Sequence, residues 1–225
     1  MDQESHRQAL GMTRIMLRPL GSAMPLGFFA FGARALMSAV LELQWVPKTE
    51  TKTAAIALLT FVMPLEMLAC IFSFLSRDAA GATAMGIFSA SWGVFGTLWL
   101  VMGPGQSPEL GVFTVMVTAA ILCLAVVGWR GKPLLASLLL VAAGRDGFLV
   151  AYHLGRKSAL TGAGWCGLVL VPLSIYCGLA FLMEDVNQRT ILPLLRRGAA
   201  RQSLEGDLSD QLQRIEREAG VRNQL

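Results

Sequence analysis

Arg34, Glu66, Arg145 and Asp146 are ionisable side chains set inside stretches of sequence that are otherwise apolar. An ionisable group at the centre of a bilayer costs roughly 2.5–3.5 kcal/mol on insertion scales, so each must face protein or water. Arg34 follows Gly27 and Phe31 at steps of four and three, which puts the three on one helical stripe. A guanidinium there suits the binding of a carboxylate, because it is planar, stays charged and donates bidentately. It equally suits an ion pair with Glu66 or Asp146 that holds helices in register, and the sequence leaves both readings open. Glu66 offers a carboxyl able to load and release a proton, or a partner for Arg34. Arg145 and Asp146 are adjacent, so on a helix they point about 100° apart and are expected to serve different neighbours. His153, at the end of an apolar stretch, reads as an interfacial imidazole. No nucleophile–base arrangement, phosphate-cradling loop or metal-ligand spacing is present, so neither catalysis, a bound metal nor a cofactor is expected. Cys70, Cys123, Cys166 and Cys177 show no C-x-x-C spacing and read as reduced packing residues.

The elements that carry these residues follow from composition. The chain is 54% hydrophobic and 15% charged, where soluble domains carry about 25% charged residues. A helix needs roughly 20 apolar residues to cross the hydrocarbon, which predicts spans over 23–42, 53–75, 81–103, 109–129, 133–154 and 160–183. The expected class is an all-α membrane protein with six transmembrane helices. Residues 1–21 form a polar lead-in, 22–184 the membrane domain, and 185–225 a tail. Leu204, Leu208, Leu212 and Ile215 recur at three- and four-residue steps, which predicts a short amphipathic helix in that tail. Pro25 falls near a helix start, where a missing N–H costs little, and Gly27 and Gly32 leave the backbone bare for close approach. Pro64 and Pro172 lie inside spans and are expected to kink them. Gly86 with Ala90, Ser89 with Gly93, and Ala163 with Gly167 have the spacing of closely packed membrane helices.

Basic residues set the orientation. Arg7, Arg14, Arg18, Arg77, Arg130, Lys132, Arg189, Arg196 and Arg197 fall on the side of the chain ends, against Lys48, Lys52, Arg156 and Lys157 opposite. The positive-inside rule then places both termini in the cytoplasm and the chain in the inner membrane. The net charge of +4 is this bias rather than a nucleic-acid signature. Trp45, Trp129 and Trp165 fall near span ends, as interfacial aromatics do.

Two segments point to a family. The stretch Ser22-Ala-Met-Pro-Leu-Gly-Phe-Phe-Ala-Phe-Gly32 resembles the Asn-Pro-Ala-Pro-Leu-Gly-Leu signature of the acetate uptake transporters, which include the succinate–acetate permease and YaaH-like proteins. The last span and its exit are similar as well: Gly164-Trp-Cys-Gly-Leu168, Ile175-Tyr176 and Asn187-Gln-Arg-Thr-Ile-Leu-Pro193. The resemblance implies a six-helix subunit that assembles as a homo-hexamer, each subunit holding its own path, with acetate and sometimes succinate moved together with protons. It implies that Pro25, Leu26 and Gly27 form the mouth of the path. It also implies that Phe31, Trp92 and an aliphatic position near Val141 or Ala142 form a hydrophobic constriction. The intramembrane charges depart from the family's better-known members, which are largely neutral there.

Together these readings give a secondary transporter of small monocarboxylates, proton-coupled, with Arg34 beside the gate and Glu66, Arg145 and Asp146 as proton or ion-pair groups. The rivals are a passive channel for small neutral solutes such as urea or short amides, and a non-transporting membrane scaffold. The orientation is testable by itself. Reporters active only in the cytoplasm should give signal when fused after Leu225, and periplasm-active reporters at the same site should stay silent; the reverse pattern overturns the topology.

Overall fold

Lipid offers backbone N–H and C=O groups no partners, so a bilayer-length apolar run satisfies them by coiling on itself. The computed structural model describes residues 20–187, 189–198 and 200–201. The lead-in before residue 20 and the stretch of Leu204 to Ile215 lie outside the described residues. Among those described, six helices are long and apolar enough to cross a membrane: α1 (Met24–Glu42), α2 (Lys48–Leu75), α3 (Ala79–Val101), α4 (Pro108–Gly131), α5 (Pro133–His153) and α6 (Ala159–Asn187). Each matches an expected span to within a few residues, although α2 begins and α6 ends further out than hydropathy predicts.

Local chemistry sets the helix ends. Pro25, Pro108 and Pro133 occupy first turns, where no N–H is needed. The Asp78 side chain accepts from the Gly81 N–H at 3.0 Å and Ser107 Oγ from the Leu110 N–H at 3.3 Å, capping α3 and α4. α1 closes through Gln44 in the left-handed region (φ 58°), with the Trp45 N–H reaching back to the Val40 carbonyl and the Gln44 N–H to that of Leu41. The kink expected at Pro64 takes the form of a π-helical stretch, Leu58–Val62, directly before it. A π turn is a common way for a helix to absorb one extra residue.

The helices pack as α1 on α6, α2 on α3 and α4 on α5, with α5 also lying along α6. Small residues set the closest approaches. A Cβ on Gly167 would stand 3.0 Å from the Ala39 Cβ and 3.4 Å from the Ala35 carbonyl oxygen, so α6 and α1 meet almost backbone to backbone. Gly86 faces Cys70, and Gly93 faces Met63, whose carbonyl accepts from Ser89 Oγ at 2.9 Å. Cys70 and Cys177 pack inside; Cys123 instead lies exposed on the outer face of α4. Trp45 and Trp165 are exposed at helix ends and meet edge to face at 6.1 Å. α3 makes little contact with α4 and has no substantial contact with α5.

After α6 the chain folds back beneath the bundle. Tyr176 Oη donates to the Pro193 carbonyl at 3.0 Å, and the Arg197 N–H donates to the Gly131 carbonyl at 2.8 Å. Leu194 is fully buried, and Arg196 forms an ion pair with Glu184.

The α1–α6 contact makes a direct prediction. Gly167→Val drives a side chain into the Ala35 and Ala39 backbone region, an overpacking that costs about 1–3 kcal/mol. Gly144, with nothing within 4 Å of an added Cβ, is the control. In detergent, Gly167→Val should melt several degrees below the parent and Gly144→Ala within a degree of it. Equal melting of Gly167→Val and the parent would refute the close approach.

Candidate substrate path

α3 presents an aromatic ladder on one face: Phe88, Trp92, Phe95 and Trp99, at helical steps of four, three and four. Phe88 and Trp92 stack with ring centroids 6.1 Å apart and planes within 9°, and Trp92 continues to Phe95 at 6.2 Å. From α1, Phe31 leans on Phe88 at 4.9 Å. These rings occupy the interval between α3 and α5 and divide it into two cavities. The distal cavity, on the side away from the chain ends, is about 810 Å³ counting its open mouth, and its lining includes Arg34, Glu42, Lys48, Trp92, Arg145 and His153. The second, on the side of the chain ends, is about 830 Å³ on the same measure; its lining includes Phe31, Phe88, Leu138, Leu139, Asp78 and Lys132. Phe31, Phe88 and Trp92 thus form an apolar floor between the two cavities.

The charges collect on the distal side. Arg145 of α5 donates to Glu42 at the end of α1, and its Nη1 reaches Asp146 Oδ1 at 3.4 Å. This corrects the expectation that Arg145 and Asp146 serve different neighbours. The backbone directions do diverge, but the long arginine bends back and gathers both carboxylates. Glu42, at a helix end, is a partner that the expected pairs did not include.

Arg34 is arranged differently. It is 4% exposed, and its guanidinium carbon stands 3.7 Å from the centroid of the Trp92 ring. A cation over an indole face gains about 0.5–2 kcal/mol. Among the described residues it forms no ion pair, and its Nε has no hydrogen-bond partner. Glu66 and Asp146, its expected partners, lie within electrostatic reach, as do Glu42 and Arg145. Glu66 is 0% exposed, with neither carboxyl oxygen hydrogen-bonded. The Trp92 indole N–H lies beside it without closing a hydrogen bond.

At the opposite mouth Lys132 Nζ stands 3.0 Å from Asp78 Oδ2. Burial pushes the Asp78 carboxyl up, but Lys132, the Gly81 N–H and the nearby Arg196 together hold it below the ordinary carboxylate range. Lys132 also sits 5.6 Å from the Phe181 ring, and Arg196 5.5 Å from the same ring.

Of the residues singled out by sequence, Phe31, Arg34, Trp92 and Arg145 line the cavities, and Asp146 and Glu66 stand close behind. Others do not line the cavities. Pro25 is buried in the first turn of α1, Leu26 is 38% exposed on the outer surface, and Gly27 packs against Met85 and Ala69. Val141 is half-buried in the core and lies off both cavities; Leu138 and Leu139 supply the aliphatic wall instead. His153 is buried rather than interfacial, and its Nδ1 accepts from the Ser107 N–H at 3.2 Å. Phe88 and Glu42 were not anticipated. The i, i+4, i+7, i+11 ladder of rings was the readable signal for Phe88.

The sequence matches no family model and no curated protein. Among solved structures, a bacterial acetate channel, SatP, overlays with a TM-score of 0.69 at 18% identity, covering 77% of this chain and 98% of that one. The chain is therefore an integral multi-pass membrane protein whose six helices share the fold of that channel.

Proposed function

We propose that this protein carries small monocarboxylates, acetate first, through the path between α1, α3 and α5, coupled to protons, as a divergent acetate uptake transporter. Arg34 carries this reading: a buried guanidinium without an ion-pair partner, lining the distal cavity directly above the aromatic floor. A carboxylate arriving there trades water for a fixed, planar pair of donors. The acetate channel that shares the fold supports the substrate class, and assembly as a homo-hexamer in the inner membrane follows from the family resemblance. Passive conduction of acetate is the second reading, favoured because the overlaid protein is described as a channel. Dependence of uptake on an imposed proton gradient separates the two. A channel for neutral solutes or an inert scaffold leaves Arg34 only as a counter-charge for its carboxylate neighbours and gives no use to its place on the cavity wall.

The two arginines should behave differently on removal. Arg34→Gln should lower acetate uptake into proteoliposomes tenfold to a hundredfold, the worth of a charge-assisted hydrogen bond of about 1.5–3 kcal/mol, with folding preserved. Arg34→Lys should recover little, since the fork is lost. Arg145→Gln strands Glu42 and Asp146 and should destabilise the fold by about 3–5 kcal/mol, seen as poor recovery of monodisperse protein. Normal uptake by Arg34→Gln, measured against protein-free liposomes at pH 7.5, overturns the reading.

The floor makes a second prediction. Phe31→Ala with Phe88→Ala leaves Trp92 to hold Arg34 but opens the constriction that excludes water. The double variant should admit propionate and butyrate several-fold faster relative to acetate. Unchanged selectivity would place the path elsewhere.

A further inference from the structure

The charge inventory around Arg34 does not balance. Arg34 and Arg145 stand against Glu42, Asp146 and Glu66. Arg145 is already engaged by Glu42 and Asp146, which leaves Arg34 and Glu66 as the members without an ion pair. Glu66 faces Arg34 from α1 and the Trp92 indole N–H from α3, and it takes no hydrogen bond from either. It lines neither cavity, whereas Arg34 lines the distal one. An ionised carboxylate buried without hydrogen bonds is tolerable only in the field of a nearby cation. A substrate in the cavity can therefore reach Arg34 but not Glu66, and the two carboxylates draw on the same guanidinium.

We propose that Glu66 is the proton-binding site of this protein, linked to substrate through Arg34, so that acetate binding at Arg34 places one proton on Glu66. The inference rests on Arg34 being the substrate's cation. When acetate arrives as an anion, its charge takes over the field of Arg34, and the Glu66 carboxylate takes up a proton from water to become the neutral acid. One anion and one proton enter together, and the cluster keeps its net charge. When acetate leaves, Glu66 re-ionises against Arg34 and releases the proton. Binding linkage is reciprocal, so protonation of Glu66 tightens acetate by the same factor. Trp92 positions both partners: its ring face holds the guanidinium, and its N–H is turned to the carboxyl. Among the other candidates, Glu42 and Asp146 are engaged by Arg145, and the His153 Nδ1 is occupied by the Ser107 N–H.

The test is the number of protons taken up per acetate bound. It is measured by titration calorimetry of the full-length protein at pH 7, where free acetate is ionised, in buffers of different ionisation enthalpy. The wild type should take up about one proton per acetate. Its affinity should weaken up to tenfold per pH unit over the range in which that proton is acquired. Glu66→Gln should bind acetate with no proton uptake and an affinity flat from pH 6 to 8. Trp92→Phe keeps a ring beneath Arg34 but removes the N–H, and it should shift the midpoint of the pH dependence; this arm stands even if Glu66→Gln fails to fold. Acetate binding by the wild type without proton uptake overturns the proposal and leaves Arg34 as the substrate's cation. Undiminished uptake in Glu66→Gln, or an unmoved midpoint in Trp92→Phe, overturns it as well. No acetate binding by the wild type, by contrast, refutes the role of Arg34 itself and the linkage with it.

Discussion

Hydrocarbon cannot solvate charge, and that constraint organises the interior of this bundle. Arg145 answers it by engaging Glu42 from the end of α1 and Asp146 from its own helix. A desolvated pair of this kind is weak evidence of net stability, because desolvation consumes most of the Coulomb gain. Its value is positional. Removing any member leaves a bare charge in a medium that cannot accept it, so α1 and α5 are held at one separation. With α5 tied to α1, and α3 bound chiefly to α2, an interval remains between α3 and α5, and the two cavities lie along it.

Rings rather than backbone fill that interval. A ladder spaced along one face of α3 supplies a wall, and Phe31 crosses from α1 to meet it. The result is asymmetric. The distal chamber carries Arg34, Arg145 and Glu42, while the other is apolar along most of its length, with the ion pair of Lys132 and Asp78 at the mouth. On the path proposed above, a solute passes from a chamber that can compensate its charge to one that mostly cannot. Such a gradient suits compact solutes that shed charge easily, which is consistent with the weak carboxylic acids proposed.

Hydropathy made the fold legible because bilayer-length apolar runs are long, and short polar connections separate them cleanly. Residue type also exposed Arg34, Glu66, Arg145 and Asp146, since a charge inside such a run stands out. Pairing was not legible. Glu42 lies at the end of α1, where a carboxylate reads as interfacial, and its partner is 103 residues away. Nothing in the spacing of Arg145 and Asp146 shows that a long side chain can fold back onto its neighbour. The aromatic floor was half legible. Phe31 and Trp92 came from the family resemblance, whereas Phe88 sits among 11 phenylalanines in the chain and only its step of four to Trp92 marks it. Val141 came from an alignment across a loop, which carries no information about helical phase, and it lines neither cavity.

The π-helical stretch of α2 has a consequence for how this helix can vary. Buried positions run Thr51, Leu58, Val62, Glu66, Ser73. From Thr51 to Leu58 and from Glu66 to Ser73 the interval is a heptad, which nearly repeats the same azimuth in an α-helix. From Leu58 to Glu66 it is one residue longer, and the wide turn absorbs the surplus. Without that turn, Glu66 would lie about 80° around α2 from Leu58. Deleting Thr60 is therefore a repair of phase rather than an injury: the interval from Leu58 to Glu66 returns to a heptad, and an uninterrupted α-helix keeps both faces turned inward. The same deletion made between Thr51 and Leu58 has no surplus to remove, and it rotates the start of α2 by about 100° from the face that bears Glu66. Hydrophobicity alone scores the two deletions alike; the azimuth of one carboxyl tells them apart.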